Sequence, residues 1–500
     1  MLDLENIGSP KEFWDYFKEI CKIPRCSGRE EGIRSHIEQI AINFGYDTKI
    51  DTVGNLIVKI SSKDKDIDCL GIIFQCHMDM VCEKNNDVSH NFEIDPINLK
   101  IFKDKEEYWL TAKGTTLGAD NGVGIAYCLA LMNRIYNHKI NINNLSIEFL
   151  FTVQEESGLT GVFNIQKGFL DGNYLINLDS EEDDRFIIGC AGGINTEGKL
   201  NIDFKNINEI NKKITPIQLS VTGLIGGHSG VDINKGRANA IKIISKILWK
   251  INNRFGIYLN SISGGKLSNA IPRETESIFY VEETKISEIF SLVDQIKLEI
   301  EMEIKSNEKN LKIKYKKLET IERERIFPKP ISDKLLHILY VIPNGPISIH
   351  SKNQDLVYTS TNLASIKMEG ELLTIITSQR SLHKTSKQII SERIEALFKL
   401  ADLGINIRHS GDYPEWDPNF KSTLLEIVKN SYKELYNKEA IISTIHAGLE
   451  TSILKQNFPD IEMISIGPLI EGTHSPDEKL NIKSVEKIWK LIELLIKKFH

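Results

Sequence analysis

The sequence predicts an α/β fold with a mixed, largely parallel sheet, and an α+β domain inserted into it. Three observations predict this. Short apolar runs alternate with helical patterns through residues 1–188. The same alternation resumes over 398–500. Between them, over 189–397, strand-like alternation mixes with long helical stretches and denser charge. A chain of 500 residues is also too long for one ordinary core, which agrees with more than one domain.

The elements follow in order. Helix-like patterns cover 10–21 and 28–44. Apolar runs of strand length follow at 55–60, 70–75, 146–153 and 174–178, with a helical pattern over 122–137 between them. In the insert, 214–221 and 372–378 read as strands, and 237–252 and 286–304 as helices. The charged stretches KNINEINKK and KKLETIERERIFPKP read as loops or connectors. The last part carries a helix near 424–435, an apolar run at 461–466 and an amphipathic helix over 482–499. The chain has no short-period repeat and no low-complexity segment.

Composition narrows the function classes. With 41% hydrophobic and 26% charged residues, the chain reads as an ordinary globular protein. Its net charge is −7 and no basic stripe stands out, so no nucleic-acid partner is expected. No run of about 18 apolar residues occurs, so no membrane span is expected. The start, MLDLENIGSPKEFWDYFKEI, lacks the basic and apolar stretches of a signal peptide. The seven cysteines (21, 26, 69, 76, 82, 128 and 190) are odd in number and confined to the first 190 residues. That pattern predicts reduced thiols in a cytoplasmic protein.

Potential metal ligands stand where apolar runs end. His77 and Asp79 follow GIIFQC, Glu155 and Glu156 follow SIEFLFTVQ, and Asp179 follows YLINL. His474 lies in GTHSPDE, just after IEMISIGP, and Asp120 lies in GTTLGADNGVG before a helix. In open α/β sheets, sites form in the crevice beyond the carboxyl ends of the strands. Carboxylates gathered there would repel and raise one another's pKa values, and two divalent cations would relieve this. Taken singly, a strand-end carboxylate is more often a helix cap or a solvated charge, and a lone His is usually structural. The shared placement is the signal. GADNGVG fails as a dinucleotide fingerprint, because its glycine spacing is wrong and no strand runs straight into it.

HMDMV, KGTTLGADNGVG, TVQEESGLTG, NLDSEE, IGCAGG, GGHSG, SNAIPRE, HAGLE and SIGP with GTHSPDE occur in that order. Together they resemble the M20 metallopeptidases, and are most similar to the aminoacyl-histidine (Xaa-His) dipeptidase branch. The resemblance runs from His77 to His474. It implies a zinc-peptidase-like catalytic domain with an inserted lid or dimerisation domain. It further implies two divalent metals: His77 and Asp179 on one, Glu156 and His474 on the other, and Asp120 bridging. Asp79 would orient His77, as carboxylates behind metal-bound histidines do. Glu155 would be the general base for a water between the metals. The metals would be Zn2+, although such N/O sites also accept Co2+ or Mn2+.

The resemblance extends to substrate contacts. His228 in GGHSG would stabilise the oxyanion of the tetrahedral intermediate. Asn269 in SNAIPRE and Arg380 in SQRS would bind the substrate's C-terminal carboxylate, which suits an Arg fork. Glu450 in HAGLE would line the cleft near the substrate's amino end. A homodimer is the preferred assembly, with His228 acting in its own chain or on the partner. Cys76 and Cys82 lie close to His77, but the implied ligand set uses no thiolate, so both read as bystanders.

The expected function is therefore a cytoplasmic, metal-dependent dipeptidase acting on unblocked dipeptides, with Xaa-His the substrate that the resemblance implies. The alternatives are an aminotripeptidase or N-acyl amino-acid amidohydrolase on the same metal centre, or a non-enzymatic metal-binding scaffold. Presence of both the implied ligand set and Glu155 argues against the scaffold.

Overall fold

The apolar runs come together as neighbours. Leu145–Thr152, Leu70–His77, Tyr174–Asn177 and Glu462–Ser465 lie side by side and parallel. LGIIFQCH and LSIEFLFT are buried almost throughout, as central parallel strands are when helices cover both faces. Further strands extend the sheet at both edges, the first on each side running antiparallel to the centre. Leu56–Ile60 and Asp47–Ile50 lie beyond Leu145–Thr152, and Arg185–Cys190 and Ile441–Ile445 beyond Glu462–Ser465. This is a computed structural model; residues 5, 7–61, 70–142, 145–321, 323–351 and 353–499 are described.

Among the helices that share the core of this sheet are Lys11–Ile20, Ala119–Tyr136 and Ile482–Lys498. A column of rings joins them. Phe13 lies 4.6 Å from Tyr127, and Tyr127 stacks 6.3 Å from Trp489. Each such side chain, fully buried, contributes on the order of 1.5–3 kcal/mol. The last helix buries Ile482, Val485, Ile488, Trp489, Ile492, Leu495 and Ile496, a single stripe at helical spacing. Asn481 caps it, accepting the Ser484 N–H at 2.9 Å. A small sheet of Leu99–Asp104, Glu107–Ala112, Lys479–Asn481 and Ile470–Glu471 holds the loop 472–478 between its last two strands.

The chain divides into two compact units. The first comprises Met1–Gly189, Trp416–Thr444 and Leu449–His500; the second comprises Cys190–Glu415 and Ile445–Gly448. The second unit has its own core and a sheet whose pairings are antiparallel. Helices Ala240–Phe255, Ile286–Ile304, Lys329–Val341 and Lys384–Leu400 share that core. It runs past the expected boundary at 397, because Asn406–Tyr413 pairs with Gly192–Asn201. The stretch 316–330, expected as a connector, includes the end of strand Lys312–Lys317 and the start of helix Lys329–Val341. Charge density conceals both, since an exposed strand or helix face is itself charged. No helix among the described residues is long and apolar enough to cross a membrane.

The expectation of reduced thiols fails at one pair. Cys26 and Cys82 form a disulfide across 56 residues of sequence. Residues 26 and 80 meet in a parallel bridge, which brings the Cα atoms of Cys26 and Cys82 to 5.7 Å, within disulfide range. Nothing in the spacing of the cysteines signals this. Cys21, Cys76, Cys128 and Cys190 are buried free thiols, and Cys69 lies outside the described residues. A peptide map made without reductant should recover Cys26 and Cys82 in one linked fragment. Separate alkylated fragments would refute the pairing.

Candidate metal centre

Parallel central strands end on the same side, so the residues just after them converge. His77 closes its strand, Glu155 and Glu156 follow Leu145–Thr152, and Asp179 follows Tyr174–Asn177. Asp120 stands at the start of the helix Ala119–Tyr136, where it and Asn121 have non-helical dihedrals and leave the first turn. His474 comes from the loop of the small sheet. All belong to the first unit.

Asp120 occupies the middle. Its Oδ1 lies 2.9 Å from His77 Nε2, and its Oδ2 lies 3.0 Å from His474 Nε2. Each histidine nitrogen has a second acid beside it. His77 Nε2 is 3.3 Å from Asp179 Oδ1, and His474 Nε2 is 2.9 Å from Glu156 Oε1. One carboxylate thus joins two His–acid pairs. Donor atoms of His77, Asp120 and Glu156 lie within 4.8 Å of one another. The set is nitrogen and oxygen only, which suits a divalent ion such as zinc. Cys76 and Met78 are buried in the apolar core, and Cys82 is taken up by its disulfide.

Charge is crowded here. Burial, and then the charge of Glu156, hold the Glu155 carboxyl well above its usual range. Burial and Asp120 push Glu156 up to about 7. Asp179 is also raised, by burial against the opposing pull of His77. The histidines move the other way. Desolvation lowers His474, but its bonds to Asp120 and Glu156 outweigh that and raise it to about 12. His77 is raised likewise, with Asp179 and Asp120 overcoming burial. In the metal-free chain, protons on the histidines do the work that a cation would do.

Asp79 serves two neighbours. Its Oδ1 is 3.3 Å from His77 Nδ1 and accepts the Glu155 N–H at 3.0 Å. Its Oδ2 accepts the Glu156 N–H at 3.2 Å and the Ser27 hydroxyl at 2.6 Å. It therefore holds both a ring and the turn that carries the two glutamates. Asn121 donates its amide to Asp179 Oδ1. Ser27 and Asn121 escaped the sequence reading. Asn121 stands inside GADNGVG and could have been marked there, whereas Ser27 lies in no pattern and meets its partner 52 residues on. Glu450 is fully buried and accepts from Gln75 at 2.5 Å and Thr152 at 2.7 Å. Its Oε1 has no hydrogen-bond partner among the described residues.

His228, Asn269 and Arg380 belong to the second unit, where they are neighbours. Asn269 is exposed, and its carbonyl accepts the Ser229 N–H at 2.7 Å. Arg380 Nη2 lies 3.4 Å from His228 Nε2, and its Nη1 donates to the Tyr413 hydroxyl at 2.6 Å. Tyr413 was not anticipated. It reaches Arg380 across Gly193, the residue that both face in the sheet. A Cβ on Gly193 would stand 2.5 Å from the Tyr413 ring, so only glycine leaves room.

Residues 73–498 match the model of peptidase family M20/M25/M40. The chain belongs to this family. Over 490 residues it is 35% identical to the cytosol non-specific dipeptidase of Escherichia coli (strain K12), covering 98% of each chain. It matches the crystal structure of aminoacylhistidine dipeptidase from Vibrio alginolyticus with a TM-score of 0.78 and 33% identity, over 99% of this chain and 98% of that one. A tripeptidase from Staphylococcus aureus shares the fold, with a TM-score of 0.56 and 16% identity, over 100% of this chain and 99% of that one. The M20 resemblance read from the motifs therefore holds, and the enzyme class is that of the metallopeptidases.

A test of this M20 centre follows from its charge. His77 and His474 are protonated near neutral pH in the metal-free chain, and a metal-bound histidine nitrogen must be free of its proton. Metal binding at pH 7 should therefore release protons from both histidines and a further share from Glu156, and affinity should fall as pH falls. Calorimetric titration in buffers of different ionisation enthalpy measures this. Heats independent of the buffer would contradict it.

Proposed function

We propose that the chain is a metal-dependent dipeptidase that cleaves unblocked dipeptides, Xaa-His among them. One observation carries the reading most: a single carboxylate, Asp120, shared between two His–acid pairs. In this reading His77 and Asp179 hold one divalent ion, Glu156 and His474 hold another, and Asp120 serves both. Zinc is the proposed metal, and the nitrogen and oxygen donors also suit cobalt or manganese. When bound, such ions polarise the scissile carbonyl and let a water lose its proton near neutral pH.

The chain's own groups do the rest. Asp79 keeps the His77 ring turned to the site. Glu155 takes the proton from the attacking water and passes it to the leaving amine. Burial, and then Glu156, raise its basicity above that of an ordinary carboxylate, the direction a proton acceptor requires. His228 is assigned to the developing oxyanion. Asn269 and Arg380 are assigned to the substrate's C-terminal carboxylate, with Tyr413 steadying the guanidinium. The unpartnered Oε1 of Glu450 is assigned to the substrate's amino end. The second unit, in this reading, is the lid or dimerisation domain, and the assembly a homodimer.

A cytoplasmic location belongs to the same reading. The four buried free thiols agree with a reducing compartment, and the Cys26–Cys82 disulfide is the feature that runs against it.

The experiment is a substrate panel on the metal-loaded protein: Xaa-His and other dipeptides, tripeptides and N-acetyl amino acids. Dipeptides should turn over best. Tripeptide or acyl turnover without dipeptide turnover would replace this reading with an aminotripeptidase or an amidohydrolase. Glu155→Ala should keep its metal and lose about 10²–10⁴-fold in kcat, the usual contribution of a general base. Full activity in that variant would remove Glu155 from its role.

A further inference from the structure

We propose that Arg25 and Glu478 are positioning residues that grip the backbone of residues 117–120 from its two polar sides and thereby aim the Asp120 carboxylate. The proposal rests on the reading of Asp120 as a metal ligand.

Glu478 takes the N–H side. Its Oε2 accepts from Leu117 at 2.7 Å and Gly118 at 2.9 Å. Its Oε1 accepts from Ala119 at 2.8 Å and Asp120 at 3.2 Å. Four backbone donors fill the acceptor capacity of one carboxylate, and bonds to a charged acceptor are about twice as strong as neutral ones. The side chain is 1% exposed. It lies four residues beyond His474, so the loop that carries one side of the site is fastened to the loop that carries its centre.

Arg25 takes the carbonyl side. Its Nη2 donates to Gly118 O, and its Nη1 donates to Met78 O at 3.0 Å and Asp79 O at 2.9 Å. It is 2% exposed. One guanidinium thus ties the His77–Asp79 turn to the Asp120 loop. The loop is shaped around it. Gly118 has φ +69°, and a Cβ there would fall 2.6 Å from Arg25 Nη2; one on Gly122 would fall 2.8 Å from the same atom. The glycines of GADNG make room for the guanidinium.

A carboxylate that must present one oxygen to each of two ions needs its backbone fixed before they arrive. Arg25 and Glu478 supply that without standing at the site themselves. Their contacts to the ligand-bearing loops run through backbone atoms, so their effect should be read in ligand geometry and metal affinity.

The test uses Co2+, whose absorption reports the arrangement of its ligands. Glu478→Gln keeps the size but loses one acceptor oxygen and turns an NH2 toward backbone N–H groups. Arg25→Lys keeps the charge but loses the fork. Each variant, folded by circular dichroism, should bind Co2+ about 10–100-fold more weakly. Each should also show an altered absorption spectrum and a lower kcat with little change in KM. Wild-type affinity and spectrum in either folded variant would overturn the proposal. The wild-type chain supplies a measurement that no folding failure can block. In the metal-free protein the amides of 117–120 should exchange slowly with solvent, and fast exchange there overturns the proposal by itself. Asp120→Asn separates the two ideas. Normal Co2+ binding by that variant would sink the ligand reading and the grip with it. Loss in Asp120→Asn beside normal binding in the other two would sink the grip alone.

Discussion

The structure of the first unit turns on one electrostatic constraint: several largely buried carboxylates crowd together beside the half-exposed His474. Two unit charges of like sign about 4 Å apart repel by roughly 4 kcal/mol at an effective dielectric of about 20. A cluster of them needs compensating positive charge between, or protons on some of the acids, and Glu155, Glu156 and Asp179 are all raised in that direction. In the metal-free chain that charge is carried by His77 and His474, held protonated against the desolvation that opposes it. Asp120, between both histidines, stays ionised despite burial, because its bonds to His474 and His77 outweigh the cost. A divalent ion carries the same compensation at higher charge density, and for this reason the arrangement reads as a metal centre and not as an incidental acidic patch.

Such a cluster cannot rest on loops free to relax away from it. The parallel centre of the sheet delivers the ligand positions to one end, and a further tier of polar contacts then holds each loop. Asp79 holds the turn of Glu155 and Glu156, Ser27 holds Asp79, and Asn121 holds Asp179. Many of these contacts go to backbone atoms, which fixes where a side chain begins as well as where it ends. Their partners are drawn from both ends of the chain, from Arg25 and Ser27 to Glu478. The site therefore depends on the completed fold of the first unit and not on any single segment.

Much of the fold was legible because its signals are local. LGIIFQCH is an unbroken apolar run, as a strand covered on both faces must be, and the helix Ile482–Lys498 repeats its apolar residues at helical spacing. The second unit was harder to read. Its strand Asn406–Tyr413 is largely exposed and mixed in polarity, so its membership shows only in its pairing with Gly192–Asn201. At the site, residues at strand ends were marked because the strand itself points to them. Ser27, Tyr413 and the partner of Cys26 were not, since each contributes through a neighbour remote in sequence.

By itself the sequence determined the alternation of strand and helix, the strand-end acids and histidines, and the motif order shared with the M20 peptidases. These depend on periodicity and on residue type, which are local properties. Only the tertiary structure decided that both oxygens of Asp120 face histidines, that Cys26 meets Cys82, and that Arg25 and Glu478 take hold of the same four-residue loop. Those facts depend on which distant segments become neighbours. That is set by strand order and packing across the whole unit, and no short stretch of residues encodes it.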